Sequence, residues 1–310
     1  FRAPGSSAVS GNFTVPAGTA GLTRMRVSMK WNGTPSPCET FGYGEVEDYT
    51  VNITANTVKN DFNFDGKPDL LWRHYNSGKN IAWFMDNTTL AGHKFLDTQA
   101  DTNWQICGTG DFNGDEKTDV VWRHSVSGAS EVWYLNGTTR TGTGSFITVA
   151  DQNWQLTGVA DLNGDKKSDL LWRNVSNGKN VVWYMDGTTR TGFAYLPTEP
   201  GLDWKIETTG DFNGDGKPDL VWRNYDASGS VRVWFMNGAA RTGTADLSAV
   251  TNLQWKIEAC GDFNNDGKTD LVWRNYGNYK NVIWYLNGTT MTGHAFLTSV
   301  NDPNWNIENH

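Results

Sequence analysis

A chain of 310 residues with a formal net charge of −8 lacks the basic surface that a polyanion such as nucleic acid requires of a partner. No stretch approaches 18 consecutive apolar residues, so no membrane span is expected. The three cysteines (Cys38, Cys107, Cys260) are far apart and form no C-x-x-C, which removes both a zinc site and a disulfide framework.

The first residues, FRAPGSSAVSG, have no charged end followed by an apolar core, so they do not read as a signal peptide, and the chain reads as a mature or fragmentary product. Residues 1–54 carry no repeat. In TRMRVSMKW, Met25, Val27, Met29 and Trp31 alternate with Arg24, Arg26, Ser28 and Lys30, the pattern of a half-buried strand. GYGEVEDYTVNI reads as another strand. With FTVPAGTAG, these segments resemble the C-terminal half of a GEVED domain, most specifically from Gly44 to Tyr49. The resemblance implies a partial β-sandwich, a module of bacterial secreted proteins often found behind a metalloprotease catalytic domain. Half a sandwich leaves its apolar face to be covered by the rest of the chain, by a neighbouring chain or by further sequence. Glu45, Glu47 and Asp48 read as a polar strand end, not as catalytic acids.

From residue 55 onward the chain repeats. Asp61, Asp111, Asp161 and Asp211 are spaced by 50 residues, and Asp262 follows after 51. Fifteen of the 16 tryptophans fall at three fixed places per unit. In the fourth unit, WKIETTG, DLVWRN, VRVWFMNG and RTGTADL are strand signals, the second and third nearly continuous in apolar character, as in strands buried on both faces. Tight hairpins are expected at Asn136-Gly137, Asp186-Gly187, Asn237-Gly238 and Asn287-Gly288, with a weaker version at Asp86-Asn87. No segment shows a capped 3.6-residue period, so almost no helix is expected. Four strands per unit, repeated in series, is the signature of propeller blades, with an open solenoid as the competing architecture. The chain ends discriminate between them. WNIENH matches the opening strand of a sixth unit, whereas the first unit lacks that strand. The expectation is an all-β chain: a five-bladed β-propeller of four-stranded blades over 55–310, closed by 303–310 beside the Asp69–Arg73 strand, after a small partial β-sandwich over 1–54.

Each unit crowds oxygen side chains into one nine-residue loop. Position 1 is Asp61, Asp111, Asp161, Asp211 and Asp262; position 3 is Asn63, Asn113, Asn163, Asn213 and Asn264. Position 5 is Asp65, Asp115, Asp165, Asp215 and Asp266; position 9 is Asp69, Asp119, Asp169, Asp219 and Asp270. Lys67, Lys117, Lys167, Lys217 and Lys268 at position 7 offer a backbone carbonyl. Hard oxygen donors at alternate positions suit Ca²⁺, and magnesium less well. The Glu at position 12 and the flanking helices of an EF-hand are missing. One such loop would read equally well as an acidic turn, because Asn, Asp and Gly favour turns. Five copies with every ligand retained favour metal, up to five Ca²⁺ in all. The loop aspartates are 15 of the 34 acidic residues, and five Ca²⁺ would take the net charge from −8 to +2. At position 6, Glu116 and Lys166 replace the glycine found at 66, 216 and 267, so weaker or distorted binding is expected in the second and third loops.

DFNGDGKPDLVW and its siblings resemble FG-GAP or VCBS-type repeats over residues 61–310. That resemblance implies calcium-binding β-propellers of secreted and cell-surface proteins. No H-E-x-x-H, G-x-S-x-G or phosphate loop is present, and the histidines are not spaced as a metal pair, so a non-enzymatic protein is expected. Arg73, Arg123, Arg173, Arg223 and Arg274 recur in every unit, which favours support of aromatic packing over sugar binding. Trp104, Trp154, Trp204, Trp255 and Trp305 stand at the edge opposite the calcium loops, either as core packing or as platforms for a glycan. The function expected first is a secreted, calcium-stabilised binding or adhesion module for glycans or another extracellular surface. The alternatives are a structural subunit of an extracellular fibre, self-associating by strand exchange through the N-terminal strands, and an accessory region of a secreted metalloprotease.

Overall fold

The structure, a computed structural model, describes residues 21–30, 36, 42–53 and 58–309. The chain divides into two units, 1–56 and 57–310. In chain order the strands are β1 (Gly21–Lys30) and β2 (Gly44–Ile53); β3 (Leu70–His74), β4 (Asn80–Asp86) and β5 (Thr89–Leu96); β6 (Trp104–Gly110), β7 (Asp119–His124), β8 (Ser130–Asn136) and β9 (Thr139–Ser145). Then follow β10 (Trp154–Ala160), β11 (Asp169–Asn174), β12 (Asn180–Asp186) and β13 (Thr189–Leu196); β14 (Trp204–Gly210), β15 (Asp219–Asn224), β16 (Val231–Asn237) and β17 (Ala240–Leu247). The last are β18 (Trp255–Gly261), β19 (Asp270–Asn275), β20 (Asn281–Asn287), β21 (Thr290–Leu297) and β22 (Trp305–Ile307). Among the described residues there is no helix.

In the first unit, β1 and β2 form an antiparallel pair with Arg26 opposite Asp48. Their side chains make a forked ion pair, Nε to Oδ1 at 2.7 Å and Nη2 to Oδ2 at 2.9 Å. Met25 is half-buried, whereas Val27, Val46 and Tyr49 are exposed. Residues 13–20 of the GEVED-like stretch, Trp31 and Cys38 lie outside the described residues, as does the side chain of Met29.

The second unit is a five-bladed β-propeller of four-stranded antiparallel blades. Each blade runs from an inner strand that opens on Trp to an outer strand that alternates exposed and half-buried residues. The second strands β11, β15 and β19 are buried along their whole length, because blades pack on both of their faces. The core accordingly consists of five inter-blade clusters, one at each junction. One of them joins Trp72, Met85 and Ile307 to Phe263, Val272 and Ile283, so the last blade packs on the first.

Ring closure rests on β22, which pairs with β3 in the register Trp305↔His74, Asn306↔Arg73 and Ile307↔Trp72. Asn309 extends the pairing with its side chain. Its Oδ1 accepts the Leu71 amide at 2.6 Å and its Nδ2 donates to the Asp69 carbonyl at 2.9 Å. A buried arginine couples each blade to the next. Arg73, Arg123, Arg173 and Arg223 lie over Trp122, Trp172, Trp222 and Trp273 at 4.8, 4.9, 4.9 and 5.0 Å. Arg274 closes the circle over Trp72 at 5.0 Å. Their guanidinium groups also donate to loop carbonyls, as Arg173 does to Gly178, Glu199 and Gly201. Buried and bonded in this way, these arginines hold the blades together.

The hairpin turns sit one residue later than the sequence pattern places them. The register Asn136↔Thr139 leaves Gly137 and Thr138 as the central pair, with φ of 64° at Gly137. Glycine at the first central position is the requirement of a type II′ turn. In the first blade Asn87, with φ of 55°, takes that position.

Candidate functional site

In blades two to five the acidic loop joins the end of the inner strand to the start of the second strand, opposite the Trp end, and in the first blade it leads into β3. The first aspartate of each loop organises the turn. In the fourth loop, Asp211 Oδ1 accepts the amide of Gly214 at 2.7 Å and Oδ2 that of Gly216 at 2.8 Å. Asn213 Oδ1 accepts the Asp215 amide, and Asp215 Oδ1 the Lys217 amide, both at 2.9 Å. The backbone of loops two and three keeps the same path without the glycine. Glu116 and Lys166 take φ of 62° and 66°, beside 80° at Gly216, and their amides still reach Asp111 and Asp161 at 2.8 and 2.7 Å. A side chain is held in the left-handed region there, against a steric penalty of about 1–2 kcal/mol.

The aspartate at position 9 carries a role that the sequence pattern does not reveal. Asp169 is fully buried. Its Oδ2 accepts the Leu162 amide of its own loop and its Oδ1 the Met185 amide, both at 3.0 Å. Met185 lies two residues beyond the last β11–β12 pair, Leu170↔Trp183, so the carboxylate replaces a missing strand partner. The same two bonds recur at Asp69, Asp119, Asp219 and Asp270. Burial pushes Asp69 up to about 7 against these two amides, and the neighbouring Asp61 and Asp65 add to the rise. Asp119 behaves alike, Asp169 and Asp270 reach about 6, and Asp219 is raised as well. Among the described residues no three His, Cys, Asp or Glu side chains converge as a metal cage, because the loop carboxylates turn toward main-chain amides. The chemistry of the donor set still fits a hard divalent cation. Three carboxylates, an amide oxygen and a carbonyl share one turn, with no nitrogen or sulfur ligand among them. Lys67 and Lys167 point away from their loops, to Asp86 at 2.6 Å and Asp186 at 2.9 Å.

At the other end, Trp104, Trp154, Trp204, Trp255 and Trp305 are half-buried and pack against the inter-blade clusters. Trp154 also borders a slot of about 210 Å³ on the third blade, with Trp172, Trp183, Arg190, Phe193 and Tyr195. Arg190 lies over Trp183 at 4.6 Å, and the buried Trp172 Nε1 has no hydrogen-bond partner. Phe193 and Tyr195 are 56% and 64% exposed, with ring centroids 5.8 Å apart. Sequence reasoning missed this pair, although a signal exists: β13 reads FAY where β9 reads TGS. His93 and Phe95, and His294 and Phe296, form the equivalent pairs on β5 and β21. His74 and His124 bond Asp302 and Asp101 at 3.1 and 3.0 Å and form no metal pair.

The repeats match the FG-GAP-like repeat over residues 61–122, 111–172 and 161–222, more than half of the chain. The chain belongs to the FG-GAP-like repeat family. Residues 257–290 match the FG-GAP repeat, and residues 2–52 match the GEVED domain. FG-GAP propellers point to a module of binding or adhesion type. No curated protein matches by sequence. Among solved structures, a chain of the nidogen/laminin complex is similar at 13% identity and a TM-score of 0.45, over 73% of this chain and 92% of that one. A periplasmic gluconolactonase of Pseudomonas aeruginosa is similar at 16% identity and a TM-score of 0.40, over 81% and 76%. A Bacteroides caccae protein of unknown function is similar at 10% identity and a TM-score of 0.40, over 73% and 72%.

Proposed function

We propose that the FG-GAP propeller is a secreted, non-enzymatic, calcium-stabilised module that binds glycans on an extracellular surface. The observation that carries this reading is the aromatic slot of the third blade. Ligand sites are concave, mostly apolar and furnished with a few placed polar groups. Phe193, Tyr195 and Trp183 offer flat apolar faces to the C–H face of a sugar ring, while the exposed Arg190 offers donors to its hydroxyls. The aromatic pairs on β5 and β21 give two further rims, and weak sites fixed on one rigid ring gain through avidity. Calcium would be held by the side chains at positions 1, 3, 5 and 9 and by the carbonyl at position 7. It would neutralise carboxylates that otherwise repel one another. A glycan array probed at saturating calcium tests the reading. Binding that falls in the double variant Phe193→Ala/Tyr195→Ala supports it, and an array with no signal overturns it.

A further inference from the structure

The five inner strands surround a cavity of about 750 Å³ on the propeller axis, open on the Trp side. Each strand sends two residues into it: Gln105 and Cys107, Gln155 and Thr157, Lys205 and Glu207, Lys256 and Glu258, Asn306 and Glu308. The wall is not five-fold. The residue that follows each second strand is tyrosine in the blades of β3, β15 and β19, where the inner strand carries glutamate. In the other two blades the same pair of positions is Ser125 with Cys107, and Val175 with Thr157. Glutamate and tyrosine therefore occur together or not at all within this one chain.

Contacts explain the pairing. Tyr225 Oη donates to Glu207 Oε2 at 3.0 Å, and Tyr276 and Tyr75 are hydrogen-bonded to Glu258 and Glu308. Lys205 and Lys256 lie over the rings of Tyr225 and Tyr276 at 5.0 and 4.7 Å. The three glutamates are 5–8% exposed, and carboxylates buried to that degree are destabilising unless paired. Blades two and three form the same four-stranded sheets without them, so the fold does not need them. Deeper in the channel, Lys59 Nζ donates to the Val159 carbonyl at 3.1 Å and to Thr209 Oγ1 at 3.5 Å, two residues beyond Thr157 and Glu207. The channel is thus a floored cup with one wall of acid, amine and phenol and a facing wall of small residues, glutamines and Arg123.

We infer that this cup is a second binding site, for a neutral saccharide of one or two rings. Its volume lies within the range of about 300–1,000 Å³ common for small-molecule sites. Three carboxylates share the wall with Lys205, Lys256 and Arg123, and Lys59 lies below, so the wall mixes both signs of charge and neither a cation nor an anion is strongly favoured. What the wall offers densely is donors and acceptors side by side, the complement of vicinal hydroxyls, each of which both donates and accepts. The site shares only its ligand class with the aromatic slot and none of its residues.

The test is calorimetric titration of the calcium-loaded chain with a panel of free neutral mono- and disaccharides. Glucose, galactose, N-acetylglucosamine and cellobiose are included, and spermidine serves as the cationic control. The expected result is binding of at least one sugar, weakened by about tenfold or more in Glu258→Gln, as loss of a hydrogen bond to a charged group predicts. Binding is expected to be unchanged in Phe193→Ala/Tyr195→Ala. A second variant, Cys107→Glu/Ser125→Tyr, copies the acid–phenol pair into the second blade, fills the open wall and is expected to abolish binding with the fold retained. The inference is overturned if no sugar binds, if binding is indifferent to both channel variants, or if spermidine binds in place of sugar. It is also overturned if only the aromatic-slot variant loses binding, in which case the proposed glycan function stands without the cup.

Discussion

The aspartate at position 9 has two physical demands on it, and they separate by experiment. Asp169 joins its loop to β12 through the Leu162 and Met185 amides whether or not a cation is present. Asp169→Ala orphans both donors, each worth about 1–3 kcal/mol when left buried without a partner. Urea unfolding should show that loss in chelator as well as in calcium; a loss present only in calcium would make the residue a metal ligand alone. The sequence pattern distinguishes position 9 from an ordinary acidic turn only through its fivefold recurrence. The demand of Met185 stays hidden because it arises where a ladder stops, 16 residues away in the chain. Glu116 and Lys166 teach the complementary lesson. The sequence shows a glycine position filled by a side chain but not what holds it, which is the Asp111 and Asp161 carboxylates on the Glu116 and Lys166 amides.

At the level of the strand, β22 does the work of a missing first strand. Trp305–Ile307 pair as a strand, the Glu308 amide still donates to the Leu71 carbonyl at 2.8 Å, and the Asn309 side chain continues from there. Asn309→Ala strands the Leu71 amide and the Asp69 carbonyl, so a fall of about 1–3 kcal/mol is expected. It should appear as a lower urea midpoint at unchanged slope, since the surface exposed on unfolding stays the same. An unchanged midpoint would assign closure to the Ile307 side chain and the β3 ladder alone. Strand number, strand order and the closing match were legible because the tryptophans and the aspartate loops repeat in phase. The offset of the hairpin turns was not, since Asn-Gly and Gly-Thr are adjacent readings of one string and only the Asn136↔Thr139 register decides between them. The aromatic slot and the axial cup escaped notice for a related reason. Both lie where the blades differ, and a reading built on sameness passes over Phe193, Tyr195 and the Glu–Tyr pairs.

For the molecule as a whole, the acidic loops are also joints between blades. The turn glycines Gly137, Gly187, Gly238 and Gly288 lie so near the preceding blade's loop that a β-carbon would stand 3.0, 3.2, 3.5 and 3.3 Å from the carbonyls of Phe62, Phe112, Leu162 and Phe212. A cation stiffening one loop therefore braces the next blade, and the ring should melt as one unit. At a hundredfold excess over its dissociation constant, calcium bound as proposed would contribute about 2.7 kcal/mol per occupied site. EDTA should lower the melting temperature of a single transition, and an unmoved transition would remove calcium from the account. The placement of β22 bears, finally, on how the protein is made. During translation the ribosome releases β3 to β21 before their missing companion exists, so the nascent arc waits with β3 unzipped at one end and β18 uncovered at the other. Both open borders invite pairing with a neighbouring nascent chain, and any stall between β3 and β22 would lengthen the interval in which β3 stands exposed.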